Sequence, residues 1–335
     1  MMYIPSAEEA AKKIVQYYRA ERYDQLREVD EYLQNMDVAY TIAGNGDEFH
    51  NATVRLAHAG FYDYAYALAK VGQYRHKRNT DLLGDLLCYG LHCRPLEELE
   101  CWYTKLERIN ERFWTWRAYQ FSFDYWMERL PDAENDDQLT AWEDTIFSLI
   151  KQFQDNFKYL KDQSDCEKAY MMEYTYYSSK GDEENALNAL KQATMDMRTQ
   201  NKCAQCALKL ADHYFEIGDY ENAYRYATLA VSIKEDQASI SLGYAYYILA
   251  MSLEWKERKN NSIPSTIKQV FNAYNSACMH LEPDKGHLME SVKKQVRQLE
   301  FEYEKQSGID FDRIDQQNNS AILGLLSALG NSGDD

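Results

Sequence analysis

A cysteine and histidine cluster is the group of residues in this sequence best suited to bind a metal. In the segment CYGLHC, Cys88 and His92 are four residues apart and share one face if the segment is helical. Cys93 follows directly, and Cys101 can return from the next helix, giving tetrahedral zinc three or four ligands. Buried cysteines also serve as small hydrophobic residues. Zinc binding and core packing both stay open, and we expect no cofactor.

A second pair, Cys203 and Cys206, has the C-x-x-C spacing of redox sites. Such a pair works at a helix N-terminus, where the thiolate is stabilised. This one lies near the predicted start of a helix, but no strand precedes it and no second pair accompanies it. Redox or metal chemistry and small residues at a helix crossing are the two interpretations.

No motif that would indicate catalysis occurs in the sequence. The phosphate-binding G-x-x-x-x-G-K-[ST] and G-x-G-x-x-G loops, the H-E-x-x-H zinc motif and the G-x-S-x-G nucleophile motif are all absent. The chain holds only seven histidines. We therefore expect a protein that is not an enzyme.

The charge balance disfavours anionic partners. Lys and Arg number 37 against 54 Asp and Glu, a net charge of -17, which repels nucleic acid and anionic membranes at long range. The acidity favours a basic partner or simply maintains solubility. No apolar run reaches the length of about 18 residues that spans a bilayer, the start has no signal-peptide pattern, and the cysteine count is odd. A cytoplasmic location is expected.

The elements that must position any site are helical hairpins that repeat along the chain. Helical spacing of apolar residues before and after Gly218 predicts two helices around a turn, with Asp219 capping the second. The same pattern surrounds Gly181 and Gly60. Weaker copies turn near Glu21 and near Arg94 and Pro95.

These residues resemble the tetratricopeptide repeat (TPR) family, whose unit is a helical hairpin of about 34 residues. The best copy matches the family pattern at Leu210, Tyr214, Gly218, Ala223 and Ala230, and the next best matches at Tyr177, Gly181, Ala186 and Ala193. The pattern is specific over residues 166–236 and suggestive over 7–109. The least regular part is 110–165, with a long aromatic helix over 112–130, an acidic loop PDAENDDQ and a further helix.

The expected fold is all-α: an α-solenoid of about seven TPR-like helical hairpins over residues 1–306, closed by a C-terminal capping helix at 291–306. Stacking is required because one hairpin cannot bury its own apolar face. Residues 307–335 form an acidic tail with a short apolar helix in SAILGLLSALG. That segment caps the array, enters its groove or binds another protein.

The resemblance implies that the first helix of each hairpin lines a concave groove that binds ligands. Carried onto the clearest copies, it points to Met171, Thr175, Ser178, Leu208, Asp212 and Phe215, while the aromatic helix adds Trp116 and Tyr119 as a platform. Leu208 and Asp212 stand where relatives that clamp a carboxylate have Lys and Asn. A basic or apolar segment is the expected ligand.

One basic cluster opposes the overall charge. It comprises Lys70, Arg75, His76, Lys77 and Arg78. An acidic partner, the chain's own acidic tail, or plain solvation of a helix end each explains it.

The sequence thus predicts a cytoplasmic, non-catalytic scaffold or adaptor that binds a protein or peptide in a concave groove, without direct contact to nucleic acid or membrane. The alternatives are a peptide-sensing regulatory protein and a structural subunit of a larger complex that uses its C-terminal tail.

Overall fold

The computed structural model describes residues 3–159, 166–196, 199, 202–233, 241–259, 267–281 and 286–307, and these residues are all-α. The only β feature within them is an isolated bridge between Ser6 and Ala43. The helices are α1 (Ala7–Arg19), α2 (Tyr23–Gln34), α3 (Met36–Ala39), α4 (Gly46–His58), α5 (Tyr62–Arg75), α6 (Thr80–Gly90), α7 (Leu96–Glu107), α8 (Trp116–Arg129), α9 (Asp136–Asp155), α10 (Glu167–Ser179), α11 (Glu183–Met195), α12 (Ala204–Glu216), α13 (Tyr220–Ser232), α14 (Leu242–Lys259), α15 (Ile267–His280) and α16 (Gly286–Ser307). Short 3₁₀ turns occupy Glu111–Phe113, Leu130–Asp132 and Phe157–Tyr159.

Within the described residues the helices pair into seven hairpins: α1/α2, α4/α5, α6/α7, α8/α9, α10/α11, α12/α13 and α14/α15. The helix α16 follows the last hairpin. This is the all-α architecture of repeated hairpins that the glycine spacing predicts. The chain divides into two compact units, Met1–Cys206 and Ala207–Asp335. One continuous array over 1–306 stays a prediction.

Three of the hairpins close with the same glycine turn. Gly60, Gly181 and Gly218 have φ of 82°, 71° and 76°, the left-handed region that glycine adopts without strain. In the clearest copy, the amide of Asp219 donates to the carbonyl of Tyr214 at 2.8 Å, the long bond of a Schellman motif. The Asp219 carboxylate then accepts from the amide of Asn222 at 3.2 Å and caps α13.

The two weaker predicted turns are also present. Glu21 takes φ 55° between α1 and α2, and Arg22 donates to the carbonyl of Tyr17 at 2.8 Å, the same bond with a non-glycine residue in the turn. Pro95 is the N-cap of α7. Its missing amide costs nothing at a helix start.

In the first unit the helices lie in two layers. The first helices of successive hairpins, α1, α4, α6, α8 and α10, contact one another in order. The core between the layers is fully buried along α6, where Leu82, Leu83, Leu86 and Leu87 have no exposed surface. Burying each such side chain contributes about 1.5–3 kcal/mol.

The middle hairpin begins later than the aromatic pattern predicts. The helix α8 starts at Trp116 instead of 112, because the Thr115 side chain accepts from the amide of Ala118 and fixes the N-cap there. The acidic loop is shorter than predicted, since Asn135 accepts from the amide of Gln138 at 2.9 Å and α9 starts at Asp136. At the N-terminal ends of both α8 and α9, the capping side chain determines the first helical residue, and the apolar pattern does not.

The second unit ends in a helix that seals the last hairpin. Val292 and Leu299 of α16 are buried in a cluster with Leu253, Val270 and Tyr274. Its centre is polar: the carboxylate of Glu254, 6% exposed, accepts from Tyr274, Gln295 and Arg258 at 2.8–2.9 Å. One side chain of α14 therefore connects α15 and α16.

The predicted acidic tail and its apolar segment lie outside the described residues, apart from Ser307 at the end of α16. The sequence also predicts a loop, ERKNNSIPS, around residues 257–265 between the last pair of helices, and this loop lies outside the described residues from residue 260 onward. No helix within the described part is long and apolar enough to cross a membrane.

Candidate functional site

The surface with the strongest mixture of apolar and charged side chains lies on two neighbouring first helices, α8 and α10. We define the α8/α10 surface by Trp116, Phe121 and Asp124 on α8 and by Lys168, Met171 and Thr175 on α10. All are partly or fully exposed. The opposite side of each helix carries buried residues, Tyr119 and Phe123 on α8 and Tyr170 and Met172 on α10, so the exposed residues form one continuous side.

Trp116 is the centre of this surface. The Lys168 Nζ lies 3.2 Å from the centre of its ring, and the Arg117 guanidinium lies 5.1 Å from it. Cations over an indole face are attracted by the ring quadrupole. These contacts hold Trp116 in a half-buried position with its ring fixed between two positive charges.

Asp124 supplies a negative charge two helical turns from Trp116. Its Oδ1 accepts from the Gln120 amide at 2.9 Å. Burial raises the pKa of Asp124 to about 6, although the hydrogen bond from Gln120 opposes the shift. The carboxyl group is therefore ionised at neutral pH but titrates close to it.

Phe121 stands where α8 crosses α6. A Cβ on Gly84 would lie 3.1 Å from the Phe121 ring and 3.5 Å from the backbone of Arg117, so the helices approach closely because position 84 has no side chain. This close crossing sets the position of α8.

A buried polar network holds the neighbouring first helices together. Asp85 of α6 is fully buried, and its Oδ2 lies 2.7 Å from Nδ1 of His50 and accepts from the Thr53 hydroxyl at 2.9 Å. Burial opposes the charge on His50, but the hydrogen bond and the charge of Asp85 raise its pKa overall. Burial raises the pKa of Asp85 despite the histidine.

This network borders the α8/α10 surface through Arg117. The Arg117 charge acts on His50, Asp85 and Cys88. The Oδ1 atom of Asp85 is buried and has no hydrogen-bond partner among the described residues. A fully buried carboxylate that binds a histidine and a threonine on the neighbouring helix α4 has a structural role.

Three of the predicted groove residues share the exposed side of α10. Met171 is half-buried, and Thr175 and Ser178 are exposed. The Thr175 hydroxyl donates to the carbonyl of Met171 at 2.9 Å, which satisfies it locally. These three residues continue the line that begins at Lys168.

The two predicted aromatic platform residues differ in exposure. Trp116 is accessible on the surface. Tyr119 is completely buried, stacked on Phe153 with ring centres 4.6 Å apart, and its hydroxyl accepts from the Asn156 amide. Tyr119 packs the core between α8 and α9 and is not presented to a ligand, because α8 has one buried side.

The remaining predicted groove residues belong to the second unit. Leu208 and Asp212 are half-buried on α12, and Asp212 accepts a hydrogen bond from the Tyr244 hydroxyl. Phe215 contacts Tyr220 and Tyr247 at ring-centre distances of 5.6 and 6.1 Å. These side chains form an aromatic and acidic surface of α12 and α14.

The candidate zinc ligands make other contacts in the structure. Cys88 is half-buried, and burial raises the pKa of its thiol to about 12. The Cys93 and Cys101 thiols instead donate to the carbonyls of Tyr89 and Glu98, and His92 stacks on Tyr62 at 4.1 Å. No group of three or more His, Cys, Asp or Glu side chains suited to a metal occurs in the part of the chain described.

The C-x-x-C pair is buried as well. Cys203 and Cys206 have no exposed surface and are not joined in a disulfide. Next to them, the buried carboxylate of Glu167 accepts from the amides of Gln205 and Cys206 at 3.1 and 3.3 Å and caps the start of α12. The pair packs at a helix crossing.

Sequence reasoning missed Phe121, Asp124 and Lys168. The signal on α8 is the spacing of Trp116, Gln120 and Asp124 along one side, which the surrounding aromatic residues obscure. Lys168 lies more than fifty positions from Trp116, so its contact follows only from the packing of α10 on α8.

Comparison with known proteins gives similarity at the level of structure. No protein-family model matches the chain, and no curated protein is significantly similar in sequence. The chain is similar to TTC0263, a thermophilic TPR protein of Thermus thermophilus, with TM-score 0.41 and 16% identity, covering 62% of this chain and 98% of that one. It is also similar to the TPR2AB domain of yeast Sti1 in complex with pHSP90, with TM-score 0.30 and 14% identity, covering 88% and 98%. Both TM-scores are modest, and the hairpin architecture rests on this chain's own helices.

Proposed function

We propose that this protein is a non-catalytic interaction module that binds an extended or helical segment of another protein along the α8/α10 surface. The observation that carries the proposal is the half-buried indole of Trp116 with Lys168 and Arg117 over its ring, while the partly exposed Met171 follows Lys168 by three residues on α10. Half-buried aromatic side chains with adjacent charges are the residues that dominate binding energy at protein interfaces.

The chemistry of the surface specifies the partner. Trp116, Phe121 and Met171 fit an apolar side chain of the ligand. Asp124 attracts a basic residue once it is ionised, and Lys168 attracts an acidic one. We infer a segment with one apolar anchor flanked by charged residues, which narrows the basic or apolar ligand expected from sequence.

Rigidity of the surface supports binding without a large conformational cost. The helix α8 is anchored by Tyr119, which stacks on Phe153, and α10 is anchored by Tyr170, whose ring centre lies 6.4 Å from that of Phe157. A surface that is already ordered loses little side-chain freedom on association. A cytoplasmic role as a scaffold or adaptor fits seven cysteines that form no disulfide, all within the described residues.

Site-specific photocrosslinking tests the proposal. A photoreactive phenylalanine analogue replaces Thr175, which is exposed on α10, and in a matched variant it replaces Ser148, which is exposed on the second-layer helix α9. After irradiation in extract of the source cell, we expect a discrete protein adduct from position 175 and none from position 148. Mass spectrometry identifies the crosslinked segment.

The control is the same crosslinker at position 175 combined with Trp116→Ala. Loss of the adduct in this variant supports binding around the indole. Equal adducts at positions 175 and 148, or persistence after removal of Trp116, would contradict the proposal. Thermal unfolding of each variant verifies that it is folded.

A further inference from the structure

A second surface of the first unit carries a concentrated positive charge in this acidic protein. The loop after α5 and the last turn of α7 enclose a cleft of about 480 Å³. Its cations are Lys77, Arg78, Lys105 and Arg108, and no acidic side chain of the described residues lines it. We call this the α5/α7 cleft. The basic cluster noted in the sequence provides two of these cations, and α7 with the residue that follows it provides the other two.

The structure separates the members of the basic cluster by role. Arg75 donates to the carbonyls of Tyr40 and Ile42, and His76 Nε2 lies 3.0 Å from the carbonyl of Gly44, so both residues fasten the loop before α4. Lys77 and Arg78 are exposed, and within the described part of the chain neither forms an ion pair. They are therefore available for a ligand.

Aromatic groups form one wall of the cleft. The Nζ of Lys105 lies 3.9 Å from the ring centre of Trp102 and 5.8 Å from that of Tyr74. The Trp102 indole N–H donates to the hydroxyl of Tyr66 at 2.8 Å, which fixes the ring. The wall is preorganised for an apolar or aliphatic side chain.

A buried amide in the wall lacks one partner. Gln73 is only 4% exposed and lines the cleft. Its amide nitrogen donates to the carbonyl of Lys77 at 3.0 Å, while its carbonyl oxygen has no hydrogen-bond partner among the described residues. A buried acceptor without a donor is unfavourable.

We propose that the α5/α7 cleft binds an acidic protein segment containing an apolar residue. Carboxylates of the segment pair with Lys77, Arg78, Lys105 and Arg108, and an apolar side chain packs on the ring of Tyr74, which is 42% exposed and lines the cleft. Charge complementarity carries the assignment. This surface is distinct from the α8/α10 surface, so its test is independent of the proposed function.

A protein segment fits better than other polyanions. The net charge of -17 repels an extended polyanion or an anionic bilayer more strongly than a short peptide, because the peptide carries fewer negative charges. The cleft holds four cations in one small volume, without a stripe along which a nucleic acid backbone would run.

Fluorescence anisotropy with the full chain tests the proposal. The probe is a short labelled peptide in which Glu and Asp surround single Leu and Phe residues. The cleft variants are the pair K105E and R108E, the pair K77E and R78E in the exposed loop, and Tyr74→Ala. The matched control reverses two exposed lysines that do not line the cleft, K151E and K294E, with the same change in net charge.

We expect each cleft charge reversal to weaken peptide binding at least about tenfold, and the control to change it by less than about twofold. Tyr74→Ala weakens binding with little change in its salt dependence, because it removes no charge. Equal affinities of the K105E and R108E variant and the K151E and K294E control would overturn the proposal.

The same titrations with an oligothymidylate and with phosphatidylserine vesicles distinguish the sources of negative charge. Binding of either that depends on the cleft, without peptide binding, overturns the assignment in favour of nucleic acid or lipid. The use of two independent charge reversals keeps the test valid if one variant does not fold.

Discussion

At the residue scale, the charge of Asp124 on the α8/α10 surface makes the stability of the protein depend on pH. Its position on α8 is exposed enough to meet a ligand and buried enough for its pKa to rise to about 6. The unfolded value is 3.8. Because the folded pKa is raised, the folded state retains a proton that the unfolded state has released, and the stability this contributes is lost as pH rises through about 6.

We therefore expect the free energy of unfolding of Asp124→Asn to exceed that of the unmodified protein at pH 8. Near pH 4 the two values should be similar. Asparagine keeps the oxygen that accepts from Gln120 and removes the buried charge. Urea unfolding at several pH values measures the difference. Asp144→Asn, at an exposed position on α9, is the control with the same charge change. Identical pH dependence in the two variants would contradict the shifted pKa of Asp124.

Gly218 determines a turn through its backbone alone. Its φ is 76°, and no described atom lies within 4 Å of where a Cβ would be, so the cost of a side chain there is conformational and not steric crowding. A left-handed conformation costs an L-residue about 1–2 kcal/mol.

Gly218→Ala should lower the free energy of unfolding by about 1 kcal/mol, while Gly218→Asn, whose side chain tolerates this conformation, should lower it less. Denaturant unfolding of both variants tests this. A neutral or stabilising alanine would show that the turn does not require glycine.

At the element scale, the hairpins could be predicted from the sequence because the turns are locally encoded. Gly60, Gly181 and Gly218, each followed by a helix start, place three hairpins without reference to the rest of the fold. The turn at Glu21 is predictable in the same way, although a non-glycine residue there adopts a positive φ. Apolar spacing and capping act over a few residues, which a sequence displays directly.

The candidate surfaces could be predicted only in part, since they depend on which helices are neighbours. Met171, Thr175 and Ser178 follow from the resemblance to TPR hairpins, but Tyr119 is buried because Phe153 of α9 stacks on it. The α5/α7 cleft needs the pairing of Tyr66 with Trp102, thirty-six positions apart. A local sequence pattern does not show which helices pack against each other when they are far apart in the chain.

The capping helix α16 depends on one buried carboxylate. Glu254 receives hydrogen bonds from Tyr274 of α15 and Gln295 of α16, and Arg258 bridges Glu254 to Glu302 at 2.8 and 2.9 Å. Removing this acceptor leaves the buried Tyr274 hydroxyl without its carboxylate partner.

Glu254→Ala should destabilise the second unit by about 1–3 kcal/mol, as expected when the buried Tyr274 hydroxyl loses its carboxylate acceptor. Hydrogen exchange should increase most in α15 and α16. Glu290→Ala, which removes an exposed ion pair with Lys293, is the control and should change stability by less than about 1 kcal/mol. Unchanged exchange in α16 after loss of Glu254 would show that the helix is held by its apolar contacts alone.

At the scale of the whole molecule, an acidic chain displays two chemically different surfaces on one set of hairpins. The α8/α10 surface combines an indole with charges of both signs, and the α5/α7 cleft is basic with an aromatic wall. Side chains of two first helices form the α8/α10 surface. Helix ends and the loop after α5 form the α5/α7 cleft. This division allows two segments to be bound without competition for the same residues.

The most direct test of the central claim is the affinity of the segment crosslinked from position 175, measured by titration calorimetry with the full protein and two aromatic variants. Trp116→Ala removes the indole of the α8/α10 surface, and Phe301→Ala removes an aromatic ring that is 66% exposed on α16. We predict that Trp116→Ala weakens the Kd at least about tenfold, or about 1.4 kcal/mol, and that Phe301→Ala leaves it unchanged. An unchanged Kd for Trp116→Ala in a folded protein would contradict binding at this surface.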